Sequence, residues 1–92
     1  MDVGGKKEVV KSRYKEMVIF TYSTEHLLKK DKIRFYYALK GRDGKSGIVN
    51  ETHAEHIGSA VILVDQEFEN EWQDFFRLWN IPYEMKKVKV GE

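Results

Sequence analysis

Five side chains between residues 34 and 45 combine an aromatic ring with positive charge at close spacing. Tyr36 stands between Arg34 and Lys40, and the glycine-rich segment that follows adds Arg42 and Lys45. A ring can stack on an unpaired base, which contributes about 1–3 kcal/mol, and nearby cations can bind the phosphates. The pattern therefore indicates a binding surface for single-stranded DNA or RNA. The alternative is that Tyr36 only covers one face of a sheet while its hydroxyl reaches water.

The same segment contains a short glycine motif. Residues 44–47 have the sequence GKSG, which matches the GxxG pattern that holds nucleotide backbones in KH domains. In a KH domain the next helix needs apolar residues where this chain has Asn50 and His53, so we do not assign that fold. The Walker spacing of a P-loop is also absent. A hairpin turn explains the glycines better, although its backbone N–H groups and Lys45 could still contact a phosphate.

Two histidines and two glutamates lie close together in the sequence ETHAEH, residues 51–56. On a helical turn His53 and His56 would share one face, but a zinc site needs two further ligands and His26 is the remaining histidine. The spacing matches no zinc pattern, and no nucleophile or oxyanion loop accompanies the histidines. We therefore expect no metal, no catalytic residue and no small-molecule cofactor.

The composition fits one domain that folds without disulfides. The 92 residues include no cysteine, and 41% are apolar, which is ample for a single core. No apolar run approaches the roughly 18 residues of a membrane span, and the N-terminus lacks the apolar stretch of a signal peptide. We expect a cytoplasmic protein that does not enter the membrane. Its many Lys, Glu, Val, Ile and Tyr residues are typical of thermophile proteins.

Charge is distributed unevenly, although the net charge is only +1. Residues 1–45 hold 12 Lys and Arg against 6 Asp and Glu, whereas residues 65–81 hold five acids and one Arg. A basic half followed by an acidic segment is typical of a chain with a polyanion-facing surface. The basic half contains all five residues of the candidate surface.

The geometry of that surface depends on whether residues 32–40 form a strand or a helix. In a strand, Tyr36 would share a face with both cations, and the other face would carry Ile33, Phe35, Tyr37 and Leu39. Asp43-Gly44 would then form a tight hairpin turn. In a helix over 25–40, Ser23 would be the N-cap and Gly41 the C-cap, but Lys32 would interrupt the apolar face. The alternation favours the strand.

Other strands are predicted over residues 17–22, 47–50, 59–65 and 83–90, with a turn between 51 and 58. The segment 59–65 is apolar almost throughout, so we expect it to be central and buried on both faces. Lysines alternate with valines in the segment 83–90, which is typical of an edge strand.

A helix is predicted over about 66–79, with Asp65 as its cap and Ile81-Pro82 after its end. Its apolar stripe consists of Phe68, Trp72, Phe75 and Trp79, broadened by Phe76 and Leu78. We expect this stripe to form the core together with Val61, Ile62 and Val64.

These elements define an α+β fold. We predict a small single-layer sheet of four to five strands, antiparallel or mixed, with one long helix, about 66–79, packed across it. If residues 25–40 are helical instead, the order becomes the β-α-β-β-α-β order of ferredoxin-like folds. Residues 1–15 are predicted to form a flexible basic arm or a short helix, and residues 16–92 a single globular domain.

The sequence favours a small nucleic-acid-binding module that uses the basic and aromatic face around residues 34–45. The alternative is a non-catalytic protein–protein interaction module, either a homodimer or a subunit of a larger assembly. The excess of aromatic residues and the Val-rich edge strand at 88–90 support this alternative. A contiguous basic face with an exposed ring favours nucleic acid, whereas an uncharged apolar patch favours a protein partner.

Overall fold

The computed structural model describes residues 14–91. This part of the chain contains four strands: β1 (Tyr14–Tyr22), β2 (Glu55–Gly58), β3 (Val61–Asp65) and β4 (Tyr83–Gly91). Its α-helices are α1 (Lys29–Lys40), α2 (Ile48–Glu51) and α3 (Glu69–Leu78), and a 3-10 turn, Gln66–Phe68, precedes α3. No helix within these residues is long and apolar enough to cross a membrane. The predicted α+β class is confirmed.

The four strands form one open antiparallel sheet in the order β2-β3-β1-β4. β1 is paired along its whole length with β4, from Tyr14 opposite Gly91 to Tyr22 opposite Tyr83. On its other side, residues 17–21 of β1 pair with β3, and β3 pairs with β2 through a bulge after His56. β4 is an edge strand, as its alternating lysines predict, and β3 lies inside the sheet.

One face of the sheet is covered by α1 and α3. Even-numbered residues of β1 and β3 point to this face, because side chains alternate along a strand. The apolar side chains between the layers are at most 5% exposed: Val18, Phe20, Tyr22, Phe35, Leu39, Ile62, Val64, Trp72, Phe76 and Ile81. Phe20 contacts Trp72 and Phe76, with ring centroids 6.2 and 5.5 Å away. The core is therefore one cluster between the sheet and two helices.

Trp72 also fixes the connection that leads to β2. Its indole Nε1–H donates to Thr52 Oγ1 across 3.0 Å, and that hydroxyl donates to the Ile48 carbonyl oxygen across 2.7 Å. Both Trp72 and Thr52 are buried, so the bond satisfies an indole N–H that water cannot reach. α2 is thereby attached to α3.

The segment 66–79 is not the single long helix that the sequence predicts. Asp65 accepts a bond from the Glu67 backbone N–H at the start of the 3-10 turn, and α3 itself has ten residues, fewer than the 12 of α1. The fully buried pair is Trp72 and Phe76, four residues apart, so the contact face is rotated from the predicted stripe. Leu78 is 78% exposed. The other predicted members lie half-buried at the edge of the core: Phe68, Phe75 and Trp79.

Residues 29–40 form a helix, so the strand predicted over 32–40 is wrong. Phe35 and Leu39, four residues apart, are both fully buried, and a helical turn places such a pair on one face. Gly41 follows the helix with φ at +82°, and its N–H donates to the Tyr37 carbonyl oxygen across 2.8 Å. Ile33 and Tyr37, which strand alternation places in the core, are each 45% exposed.

Three shorter predictions are also corrected. Residues 48–51, expected partly in a strand, form α2, and residues 55–58, expected in a turn, form β2. β3 is fully buried on one face only, because the helices leave the face with Val61 and Leu63 uncovered. Of the arm predicted over 1–15, residues 1–13 lie outside the described residues, and the other two begin β1.

The core makes a prediction about stability. Trp72→Ala removes the largest fully buried side chain and its bond to Thr52, so we expect the free energy of unfolding to fall by about 3–5 kcal/mol. Leu78→Ala, on the exposed side of the same helix, should change it by less than about 0.5 kcal/mol. Denaturant titrations followed by circular dichroism measure both changes. Equal stability of the two variants contradicts a core centred on Trp72.

Candidate nucleic-acid interface

Tyr36 lies on the outer side of α1, and Lys40 follows one turn later. The Tyr36 side chain is 37% exposed, and Lys40 Nζ lies 5.9 Å from the centre of its ring. The ring also meets Phe35 edge-on, with 5.6 Å between centroids. Tyr36 and Lys40 are therefore neighbours on the helix, because residues i and i+4 share a helix face. On a strand they would also share a face, but about 13 Å apart.

Tyr37, the next residue of α1, forms a second ring–cation pair. Strand alternation assigns this side chain to the core, but it is 45% exposed, and Arg42 Cζ lies 4.7 Å from the centre of its ring. A planar guanidinium can lie flat on an aromatic ring, which adds cation–π attraction. Consecutive residues of α1 thus present two exposed rings, about 100° apart around the helix, each with its own cation.

Arg34 does not join these pairs. Residues i and i+2 of a helix do not face each other, so Arg34 is exposed on a different side of α1 from Tyr36. Its helix neighbours at i−4 and i+3 are Lys30 and Tyr37. We define the tyrosine surface as the two rings, the cation beside each ring, and Lys45 of the loop that follows α1. Its members are Tyr36, Tyr37, Lys40, Arg42 and Lys45, and Arg34 lies at its border.

The loop after α1, residues 41–47, has a defined shape. Asp43 Oδ1 accepts bonds from the backbone N–H groups of Lys45 and Ser46, both across 2.9 Å, and from the Ser46 hydroxyl across 3.0 Å. These donors, led by the Ser46 N–H, lower the pKa of the Asp43 carboxyl to about 2. The two ends of the loop touch, since a Cβ on Gly47, where φ is +99°, would lie 2.6 Å from the Gly41 nitrogen. The loop therefore holds the backbone of Arg42 and Lys45.

Asn50 connects this loop to the core. Its side-chain amide donates to the Ser46 carbonyl oxygen across 3.0 Å, and the Lys40 and Gly44 carbonyl oxygens lie 3.4 Å from the same nitrogen. Asn50 belongs to α2, which Thr52 attaches to α3. The segment thus joins two helices and not two strands, so the predicted hairpin turn at Asp43-Gly44 is wrong.

A tyrosine–histidine pair lies near Lys40 on the core side of the sheet. The Tyr22 hydroxyl and His56 Nε2 are hydrogen-bonded across 3.2 Å. Burial, with a smaller contribution from Tyr36, raises the pKa of Tyr22 to about 12. Burial and then the Lys40 charge lower the pKa of His56. Both groups are therefore held uncharged at neutral pH, so the pair adds structure and no charge to the tyrosine surface.

The histidines at 53 and 56 do not share a helical turn. His53 is exposed and follows α2 with φ at +55°, whereas His56 belongs to β2. His26 bonds elsewhere, through Nε2 to the Asn80 carbonyl oxygen across 2.9 Å. Within residues 14–91, no group of three His, Asp or Glu side chains is arranged to hold a metal ion.

A cleft of about 540 Å³ opens beside Tyr37, between α1, α2 and α3. Its walls include three carboxylates, from Glu51, Glu71 and Asp74. These charges repel phosphates, so a polyanion that contacts Tyr37 is directed away from the cleft and toward the cations of the tyrosine surface. The cleft therefore marks one border of that surface.

Comparison with protein-family models, with curated proteins and with solved structures found no match to this chain. Its function therefore has to be inferred from the geometry of the tyrosine surface and the charges around it.

Sequence reasoning identifies the cations of this surface but misses Tyr37 and Asn50. The signal that could have found Tyr37 is the i, i+4 spacing of Phe35 and Leu39 followed by Gly41, which predicts a helix with Tyr37 outside. Asn50 carries no such signal, because its carbonyl partners come together only when the loop folds.

The Tyr22–His56 pair predicts how stability depends on pH. The pKa of His56 is lower in the folded protein than its usual 6.5, so the unfolded chain binds more protons near that pH. We therefore expect the free energy of unfolding to decrease as pH falls through about 6.5, and His56→Gln to flatten this slope. Thermal unfolding between about pH 8 and about pH 5 measures this dependence of stability on pH. Identical slopes in the two proteins contradict the burial of His56.

The free energy of unfolding should decrease a second time in more acidic solutions, for a different reason. Hydrogen bonds lower the pKa of Asp43 and of Asp65 below their usual 3.8, so the stability they contribute above that pH is lost as these carboxylates are protonated. His56→Gln should leave this acidic decrease in place, because it arises from the two carboxylates.

Proposed function

We propose that this protein is a non-catalytic module that binds single-stranded nucleic acid through the tyrosine surface. The observation that carries the proposal is that two consecutive residues of α1, Tyr36 and Tyr37, have exposed rings with cations 5.9 and 4.7 Å from their centres. Single-stranded nucleic acid offers flat bases for stacking and a phosphate beside each base, so it matches rings that each have a cation beside them.

The ring–cation contacts are weak enough to be exchanged for contacts with a nucleotide. A cation–π contact at an exposed site contributes about 0.5–1 kcal/mol, whereas a base stacked on an aromatic ring contributes about 1–3 kcal/mol. A base can therefore displace Lys40 from Tyr36, or Arg42 from Tyr37. Each displaced cation is then close to the phosphates of the bound strand and can pair with them.

The shape of the loop favours binding. Asp43 and Asn50 already hold the backbone of residues 41–47, so Arg42 and Lys45 need to order only their side chains on a phosphate. Less conformational entropy is lost on binding when the backbone is ordered beforehand.

An unpaired strand fits this surface better than a duplex does. A base must be unstacked and accessible before it can lie on Tyr36 or Tyr37. The carboxylates of Glu51, Glu71 and Asp74 also border the positive surface on one side, where they repel the second strand of a duplex.

For the fold itself we propose the ferredoxin-like arrangement. β1 and β2 are both antiparallel to β3, so they run parallel to each other with β3 between them. β3 and β4 are likewise parallel with β1 between them. Two such split β-α-β units, connected through α1 and α3, support this finer assignment.

The cations predict the salt dependence of binding. We expect the full chain to bind fluorescent oligo-dT and oligo-U with a log affinity that falls linearly with log salt concentration. Arg42→Ala and Lys45→Ala should each weaken binding and reduce that slope by about 0.7, because each removes one phosphate contact. Lys89→Ala removes an exposed cation of β4, the edge strand, and is the matched control, which should leave affinity and slope unchanged. Fluorescence anisotropy at several salt concentrations measures both.

The two tyrosine rings should affect the affinity for oligonucleotides but not its salt dependence. Tyr36→Ala and Tyr37→Ala should each weaken binding about 5- to 150-fold with the salt slope preserved, since stacking releases no counterions. Tyr14→Ala, which removes a tyrosine that is 54% exposed on β1, should leave binding unchanged. The proposal is overturned if no oligonucleotide shows salt-sensitive affinity, or if Tyr14→Ala weakens binding as much as the two α1 variants do.

A further inference from the structure

The face of the sheet opposite α1 and α3 is aliphatic, and no element of residues 14–91 covers it. Odd-numbered residues of β1 and β3 and even-numbered residues of β4 point to this face, because directly opposed residues of antiparallel strands share a side. Six aliphatic side chains lie half-buried there: Met17, Ile19, Val61, Leu63, Val88 and Val90. A contiguous apolar patch on a surface is typical of an interaction site.

One row across this face has opposite charges at its two ends. Glu55 of β2 lies opposite Leu63 of β3, Leu63 lies opposite Ile19 of β1, and Ile19 lies opposite Lys86 of β4. The row therefore runs from an acid through two aliphatic side chains to a base, about 14 Å from end to end. Both charged side chains are exposed.

We propose that a second copy of this chain packs on this face, related to the first by a two-fold axis that runs parallel to the strands between β1 and β3. Such an axis exchanges the ends of the row, so Glu55 of each copy faces Lys86 of the other, and Leu63 faces Ile19. An axis perpendicular to the strands would bring Glu55 onto Glu55 and Lys86 onto Lys86. Like charges disfavour that second arrangement.

The usual geometry of packed sheets allows these contacts. Two aligned sheets lie about 10 Å apart, with strand directions inclined by about 30°. At the ends of the row, about 7 Å from the axis, this inclination displaces the facing residues by about 4 Å, which long Glu and Lys side chains can span. Lys15 and Asp65 on the same face already form an ion pair across 3.2 Å, so their charges are balanced before the sheets meet.

The size of the face sets the expected affinity. Four strands over five residue rows cover about 19 by 17 Å, or about 320 Å², in projection. A standard interface buries about 800 Å² of surface per partner, so we expect a weak dimer in the micromolar range. The tyrosine surface lies on the helix side of the molecule, and the dimer leaves both copies of it accessible.

Sedimentation equilibrium of the full chain tests the proposal. We expect the average mass to rise from 10.9 kDa toward twice that value between about 1 and about 300 µM. Ile19→Glu places a charge at the centre of the aliphatic face, outside the core, and should raise the dissociation constant at least about tenfold. Its circular dichroism spectrum should remain that of the wild type.

Charge reversal identifies the arrangement of the two copies. Glu55→Lys and Lys86→Glu should each raise the dissociation constant about tenfold, and the double variant should restore it, since the two ends of the row exchange charges. Lys89→Glu reverses a charge on the same strand but on the opposite face, because Lys89 is an odd-numbered residue of β4. This matched control should leave the dissociation constant unchanged.

Three outcomes overturn the proposal. The first is a chain that stays monomeric at every concentration, which is also the result expected if residues 1–13 cover the face. The second is a dimer that Ile19→Glu leaves intact, which is the result expected if two copies pair along the edge of β4. The third is a double charge variant that dimerises more weakly than both single variants, which contradicts the proposed axis.

Discussion

Two pairs of buried side chains, Phe35 with Leu39 and Trp72 with Phe76, hold α1 and α3 against the same face of the sheet. Each pair is separated by four residues, so each requires one side of a helix, and that side determines which residues of the helix point to solvent. The rings of the two helices also meet, since Phe35 and Phe75 have centroids 5.5 Å apart. The exposed tyrosines of α1 and the uncovered aliphatic face of the sheet both follow from this packing on one side.

Local patterns in the sequence were sufficient for the fold class, for the inner strand at 61–65 and for the edge strand at 83–91. They were not sufficient for α1, because Ile33 to Leu39 alternate like a strand while Phe35 and Leu39 repeat like a helix. Burial in the folded protein decides between the two-residue repeat of a strand and the four-residue spacing of a helix. Which residues are buried depends on partners that lie far along the chain. The hydrogen bond between Thr52 and Trp72, 20 residues apart, has no local signal either.

The candidate site also combines features that the sequence reveals with features that depend on the folded structure. Its cations are visible in the composition of residues 34–45, since charged side chains are exposed in either secondary structure. Which ring each cation contacts depends on the helix, so Tyr37 with Arg42 could not be inferred from a strand. The shape of the loop depends on three Asn50 contacts and on two glycines that touch, and these form only after α1 and α2 are in place.

The exposed tyrosine rings lie on α1, whereas the uncovered aliphatic side chains lie on the sheet. The two surfaces therefore suit different partners. Domains that bind RNA on an open four-stranded sheet stack bases on aromatic residues of the sheet. The uncovered sheet face of residues 14–91 offers aliphatic side chains instead, and acids such as Glu55 and Glu84 stand among its lysines. For the proposed binding of single-stranded nucleic acid, α1 offers the rings and the cations, and the sheet face suits an apolar partner. If that partner is a second copy, we expect the two proposed binding surfaces to act together, so that a strand long enough to reach both should bind more tightly than it does to one.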